Sequence, residues 1–370
     1  MRTSAERYLA AGQRAGAPVS TIAERWTTST IRSVTDTAGA WQRTVRDLGQ
    51  SSLAHSPEWF TVIRDAYGHD PLYLSAEDED GRAGLLPAFV VRRPLFGTVV
   101  TSMPFLDTGG PCSPSAALAN LLVKGLIAEA RRIGAHLVEL RCTERLPLDV
   151  QPTQSKVNMT LPLPADAGRL WSQLDKSVRN QIRKAERSGL SIEFGGAQNL
   201  EAFYDTFVVR MRDLGSPVHG SGFLSAVLQS FGDRARVVLV RKGSTPVGGL
   251  IALAFKDRLA VPWATCLQDY FALCPNMLLY WETLRAACAE GYRRFDFGRS
   301  TRDSGTYRFK SQWGAHEEPL FWYDIPIGAR HQAPAPSAAR GAILLSKMWQ
   351  RMPLSLTRRL GPPIRKYLTQ

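Results

Sequence analysis

Arg299, Arg302, Arg308 and Lys310 fall in one stretch, Phe295 to Gly314, interleaved with Tyr307, Phe309 and Trp313. Phe295 and Phe297 alternate with Asp296 and Gly298, as in a short strand, and the chain then breaks into Gly, Ser and Thr. Cationic loops at the carboxyl end of a strand are where α/β proteins hold anionic substrates. Large rings in such a loop call for burial, so the loop is expected to be packed and its cations to meet an anion. Taken alone, Arg302 and Asp303 read as solvated. A second cationic set, Lys176, Arg179, Arg183 and Arg187, lies near i, i+3, i+7 and i+11 of a helix expected from Trp171 to Ser188. That spacing puts all four on one stripe. Only Asp175 and Glu186 are at hand to neutralise it, so a phosphate is a reasonable occupant, since Arg contacts it bidentately. The competing reading is a solvated face.

Other chemistries find little support. The five cysteines (Cys112, Cys142, Cys266, Cys274, Cys288) have no C-x-x-C spacing and the six histidines no H-x-x-x-H pair. Reduced, buried thiols are expected, and no metal site. The net charge of +13 suggests nucleic acid until it is divided along the chain. Residues 1–50 contribute +3, residues 51–324 only +2, and residues 325–370 hold 8 basic residues and no acidic one. Local basic clusters therefore fit better than a polyanion groove over the whole surface.

The elements that must position these residues occur twice. A helical spacing at Ser56 to Tyr67 is followed by strands at 71–75 and 84–91, a helix Ala116 to Arg132, Gly134, and a strand Leu137 to Arg141. The same order recurs: helix Leu200 to Leu214, strands 236–241 and 247–255, helix Met277 to Glu290, Gly291, strand Arg294 to Phe297. Leu121-Leu122, Ala130 and Gly134 match Leu278-Leu279, Ala287 and Gly291 at a constant offset of 157. Each Gly is placed to end its helix in a left-handed conformation. A duplicated mixed α/β domain is the expected architecture.

Helix–strand–strand–helix–strand is the order of the GNAT acyltransferase fold, and two tandem copies resemble the FemAB (Fem-type) aminoacyltransferases. The resemblance covers about residues 50–324. It is carried by Phe203-Tyr204 with Arg210 to Pro217, by Lys176 to Leu190, and by Asp296 to Gly314. His55-Ser-Pro-Glu-Trp59, Tyr67-Gly-His69 and Pro104-Phe-Leu-Asp-Thr-Gly-Gly110 add to it and are similar to Fem-like proteins of exosortase and exopolysaccharide gene clusters. It implies an N-terminal extension (1–49), two GNAT-like domains (50–165 and 166–325) and a basic helical tail (326–370).

What the resemblance implies about the site is more specific. The helix with Lys176, Arg179 and Arg183 would bind the diphosphate of a nucleotide- or lipid-linked acceptor, with Arg299 and Arg308 also meeting substrate. Lys310 would stand near the reacting carbonyl and stabilise its developing charge. Asp107 would orient or deprotonate the acceptor amine. Tyr307 would donate to the carbonyl. Each has a plainer role to weigh: Lys310 packing its stem on Trp313, Asp107 closing a turn, Tyr307 packing. No cofactor is implied; the donor would be aminoacyl-tRNA, the acceptor a phosphate-bearing amine of a peptidoglycan, exopolysaccharide or other cell-envelope precursor. The alternative donor is acyl-CoA or an acyl carrier, for an amino-sugar or small amine. CoA-using GNAT domains hold the pyrophosphate on a glycine-rich loop between strand and helix. After the expected strand Ala260 to Thr265 the chain instead reads Gln268-Asp-Tyr-Phe-Ala-Leu-Cys-Pro275, with no glycine. Against tRNA, the long charged hairpin inserted in some Fem proteins has no counterpart.

No run reaches the eighteen apolar residues of a spanning helix, and Met1 to Gly16 lacks the apolar core of a signal peptide. A cytoplasmic location is expected. Gln332 to Ala339 reads as a linker, and the two short basic helices after it, with Trp349, resemble an anchor at the inner face of an anionic membrane. A body that closes before Asp324 would make that tail dispensable for folding; a tail docked on the body is the competing reading.

Overall fold

The computed structural model describes residues 27–31, 37–94, 96–328 and 336–369. Met1 to Gly16 and the start of the expected linker lie outside the described residues. The first run of elements is β1 (Thr27–Ile31), α1 (Gln42–Asp47), α2 (Glu58–Tyr67), β2 (Asp70–Pro71), β3 (Tyr73–Glu77), β4 (Ala83–Leu86), β5 (Phe89–Arg93), β6 (Gly97–Thr101), α3 (Ala116–Arg132) and β7 (Leu137–Cys142). The second is β8 (Lys156–Pro162), α4 (Ala167–Gln173), α5 (Lys176–Arg187), β9 (Leu190–Gly195), α6 (Leu200–Asp213), α7 (Ser221–Phe231), β10 (Ala235–Lys242), β11 (Thr245–Phe255), β12 (Arg258–Cys266), α8 (Pro275–Ala289) and β13 (Arg294–Thr301). There follow α9 (Gly305–Ser311), β14 (His316–Pro319), β15 (Phe321–Pro326), α10 (Pro336–Arg351) and α11 (Leu354–Arg365).

The duplication is visible in hydrogen bonds. At the end of α3, Gly134 N–H bonds Arg131 O and Ala135 N–H bonds Ala130 O; at the end of α8, Gly291 N–H bonds Cys288 O and Tyr292 N–H bonds Ala287 O. Both glycines are left-handed, with φ of 71° and 83°. Two Schellman caps therefore stop two equivalent helices at the same residue. Each unit also holds one parallel strand pair that parts after three residues. Val99–Thr101 of β6 pair with Leu137–Glu139 of β7, and Arg258–Ala260 of β12 with Arg294–Asp296 of β13.

The sheets do not follow the chain. One has the order β14-β8-β13-β12-β11-β10-β9, the other β15-β7-β6-β5-β2, with β1-β3-β4 beside it. β8 lies before residue 165 yet belongs to the sheet of the second run, whereas β15 follows the second run and completes the first sheet against β7. A boundary at 165/166 cuts across this exchange. The segment 1–49 is not a mere extension: β1 pairs with β3, and Trp41 and Val45 are buried in the core. One core lies between the units, where Trp59, Tyr73 and Phe105 meet Phe203, Phe223 and Trp263. Separate cores lie under α3 and under α4, α5 and α8.

Two expectations are corrected. The helix Trp171 to Ser188 is two helices, because Leu174 turns inward with an extended backbone and Asp175 starts α5 afresh. The tail is not free of the body. α11 packs on α6, Gly361 lies against Val218, and Thr357, Gly361 and Thr369 are buried. The last four residues of the supposed linker, Pro336 to Ala339, already belong to α10. Among the described residues, no helix is long and apolar enough to cross a membrane. Cys112, Cys142, Cys266 and Cys288 are buried thiols and Cys274 is half-buried; none is in a disulfide.

Candidate active site

Where β12 and β13 part, β13 bulges: its register against β8 shifts between Asp296 and Arg299, and Gly298 takes a φ of 73°. The bulge turns the Gly298 and Arg299 carbonyls toward α9, where Lys310 Nζ donates to both at 2.8 and 2.7 Å. Lys310 is thus buried, with its ammonium on the backbone of the bulge. Burial pulls its pKa down to about 8, while Asp107 and Asp296 pull upward and Arg299 downward.

From the other unit, the loop after β6 brings Asp107 to the same point. Its Oδ2 accepts from the Arg299 N–H at 3.1 Å, and its Oδ1 lies 3.2 Å from Arg299 Nε. The left-handed backbone at Gly298 favours glycine there, and the Asp107 carboxylate lies in ordinary contact distance of it. The Asp107 loop is itself strained, with left-handed Met103 (φ 50°) and Phe105 (φ 73°). Arg141 on β7 holds it: Nη1 donates to Met103 O and Leu106 O, and Nη2 to Thr369 O beyond α11. Burial lowers the Arg141 pKa to about 10. Trp322 on β15 donates to Asp107 O at 3.1 Å and is flanked by the guanidiniums of Arg141 and Arg299.

Asp296 completes the group. Its carboxylate accepts from Gly298 N–H at 2.8 Å and from the Asn158 side chain on β8. It keeps a partial exposure into the cavity, yet the surrounding atoms desolvate its carboxyl and push the pKa up to about 6. The cavity, small and open to solvent, is lined by Ser52, Leu106, Asp107, Asn158, Asp296 and Gly298, among others. It adjoins a wider cleft through Ser52, Thr108 and Arg258. A carboxyl that ionises near neutrality and a second carboxylate line this cavity, and a buried ammonium sits beside them on the Gly298 and Arg299 carbonyls. Such a group can take a proton from an amine and stabilise an oxyanion.

Asp107, Arg299 and Lys310 are therefore brought together, and others are not. Tyr307 points away, its hydroxyl donating to Glu317 on β14. Arg308 is exposed and donates to Asp303 O, while Arg302 pairs with Glu317. Arg179 and the exposed Lys176 and Arg183 lie along α5; among the described residues no ion pair engages them, and Arg183 lies over Trp171. Asp296, Asn158, Arg141 and Trp322 were not singled out by the sequence. The alternation of Asp296 with Phe295 and Phe297, both buried, was the signal that could have marked Asp296 as facing a cavity.

The remaining motifs shape this junction. His55 Nε2 donates to Gly110 O while its Nδ1 accepts from Ser52 N–H, and burial lowers its pKa. Tyr67 O–H lies 2.6 Å from His219 Nδ1, and His69 donates to Lys366 O. Arg365 Nε donates to His219 Nε2, so His219 carries its proton on Nδ1 and is neutral, its pKa lowered by burial and by Arg365.

Residues 172–311 match a family described as the acetyltransferase (GNAT) domain. No curated protein matches the chain. Among solved structures, FemX is similar over 81% of this chain and 97% of its own, at TM-score 0.61 and 12% identity. L-PGS from Bacillus licheniformis covers 84% and 96% at TM-score 0.52 and 12% identity. A tandem GNAT protein from the clavulanic acid biosynthesis pathway covers 83% and 100% at TM-score 0.53 and 9% identity. At such identities these likenesses concern the fold. The chain has a tandem GNAT fold with a helical C-terminal tail, and its second unit is an acyltransferase domain of that type.

Proposed function

We propose that the chain is a Fem-like transferase that forms an amide by moving an aminoacyl group from aminoacyl-tRNA to the amino group of a cell-envelope or related precursor. The observation that carries this reading is the group at the junction of the units: Asp107 from one and Asp296 from the other line one cavity, with Arg299 paired to Asp107 and Lys310 held on the Gly298 and Arg299 carbonyls beside it. In this reading a carboxylate takes the proton of the acceptor ammonium and the free amine attacks the ester carbonyl. Lys310 stabilises the oxyanion, and the tRNA hydroxyl leaves as the carbonyl re-forms. Asp107 and Asp296 are the candidate bases. Lys176, Arg179 and Arg183 would meet the phosphates of the acceptor. Tyr307 and Arg308 are given no part, since their side chains are engaged elsewhere. The tail would meet the inner face of an anionic membrane, where lipid-linked acceptors are found.

The donor choice rests on the start of α8. A 3₁₀ turn, Gln268–Leu273, fills the place of a glycine loop, Cys274 is left-handed, Pro275 has no N–H, and Met277 N–H is spent on Cys274 O. Few donors remain there for a pyrophosphate. An acyl-CoA-dependent N-acyltransferase is the second reading, favoured by the acetyltransferase description of the matching family. Purified protein should transfer label from charged tRNA to an amine acceptor, and ribonuclease treatment of the donor should abolish it. Calorimetry should show no saturable acetyl-CoA binding. Micromolar binding, worth about 8 kcal/mol, would select the second reading.

A further inference from the structure

Docking α11 on the body leaves an apolar face uncovered. Leu356, Leu360, Ile364 and Leu368 recur every fourth residue, each 37–42% exposed. Beside them the turn between β5 and β6 presents Phe96, which is 75% exposed. Pro94 and Phe96 on one side and Pro363, Ile364, Tyr367 and Leu368 on the other line a groove. On α10, Ile343, Leu344, Leu345 and Met348 are 58–66% exposed. An apolar exposure of this extent marks a contact surface.

The charges beside it select the occupant. Residues 325–370 hold 8 basic residues and no acidic one. Two of these serve the docking, since Arg358 pairs with Asp205 and Arg365 is turned onto His219. Lys347, Arg351 and Arg359 are exposed, and among the described residues none has an acidic partner. A ring lodged at a hairpin tip, an apolar stripe and unneutralised cations together match a bilayer with anionic headgroups.

We infer that the α11 stripe, the Phe96 turn and α10 form one membrane-binding face that seats the folded protein on an anionic lipid surface. It refines the tail contact of the proposed function by naming the face, and it adds a residue outside the tail, Phe96. Because α11 is held by the body, the whole catalytic unit is carried to the lipid in a fixed pose.

Flotation of the full chain with phosphatidylglycerol–phosphatidylcholine vesicles tests this without any catalysis, so its failure is separable from failure of the transferase reading. The protein should float with these vesicles and not with phosphatidylcholine alone, and high salt should release part of it. Phe96→Asp with Leu360→Asp should weaken binding about tenfold or more. Lys347→Glu with Arg359→Glu should remove much of the salt-sensitive part. A polarity-sensitive dye on Phe96→Cys should shift to the blue on vesicle addition, which guards against loss of fold in the charged variants. Flotation unchanged in the variants, or an unshifted dye, overturns the proposal. So does a dimer in solution that the same variants convert to monomers without vesicle binding, for then a second copy is the occupant.

Discussion

Asp296 and Lys310 approach neutrality from opposite sides. The Asp296 carboxyl, raised to about 6, is ionised only above that pH, and the Lys310 ammonium, lowered to about 8, is lost above that one. If one accepts the amine proton and the other faces the oxyanion, kcat/KM should be bell-shaped with limbs near those values. Asp296→Asn should abolish the acid limb; a limb that persists removes Asp296 as the base. The acceptor amine cannot explain the alkaline fall, since its deprotonation raises the rate. Lys310→Ala should lower kcat by about 10²–10³ with a smaller change in acceptor KM, while Lys242→Ala leaves both alone. It also strands two carbonyls at about 1–3 kcal/mol, so a melt belongs beside the kinetics. Asp107, Arg299 and Lys310 were legible because they sit in family-like motifs. Asp296 opens one of those motifs but was read only as an alternating strand residue, since its partner Asn158 comes from a strand distant in sequence. Tyr307 and Arg308 were misplaced because the expected loop is a helix, N-capped by Ser304, whose hydroxyl accepts from Tyr307 N–H.

At the scale of elements, α5 presents Lys176, Arg179 and Arg183 away from its buried Val178, Ile182 and Ala185. Arg179→Ala and Arg183→Ala should chiefly raise the KM of a phosphate-bearing acceptor. An equal loss with a phosphate-free acceptor would end the phosphate role. The i, i+3, i+7 pattern made this stripe readable, and the glycine stops made α3 and α8 readable; the break at Leu174 is a tertiary effect that no local signal announced. α11 is the element whose seating the sequence concealed, because it is held by a surface pair, Arg358 with Asp205, and by Arg365 turned inward onto His219, both partners distant in sequence. A Cβ at Gly361 would stand 2.9 Å from Val218 Cγ1 and 3.0 Å from its backbone nitrogen. Gly361→Val should therefore cost about 1–3 kcal/mol, read as a lower Tm. Since Thr369 O helps Arg141 hold the Asp107 loop, it should lower kcat as well.

At the scale of the molecule, removing residues 331–370 should expose Phe105, Val218 and Arg141 and lower the Tm or cause aggregation. Unchanged melting would restore the tail as a detachable appendage. The duplicated order of elements could be read from sequence because each unit repeats the same helix stop. The destination of β8 and β15 could not, because both are short strands whose own residues suit either sheet.

That exchange bears on how the protein comes into being. While the chain emerges from the ribosome, β7 has no neighbour on its outer side until β15 is made, so the first sheet waits with an open edge through synthesis of the entire second unit. Folding should then be post-translational and chaperone-dependent, not domain by domain. The same exchange turns a cut into a bond. Residues 1–165 produced alone should aggregate, whereas 1–165 and 166–370 produced together should copurify, each holding the strand that the other lacks. Recovery of a folded, monomeric 1–165 would show that its sheet closes without β15.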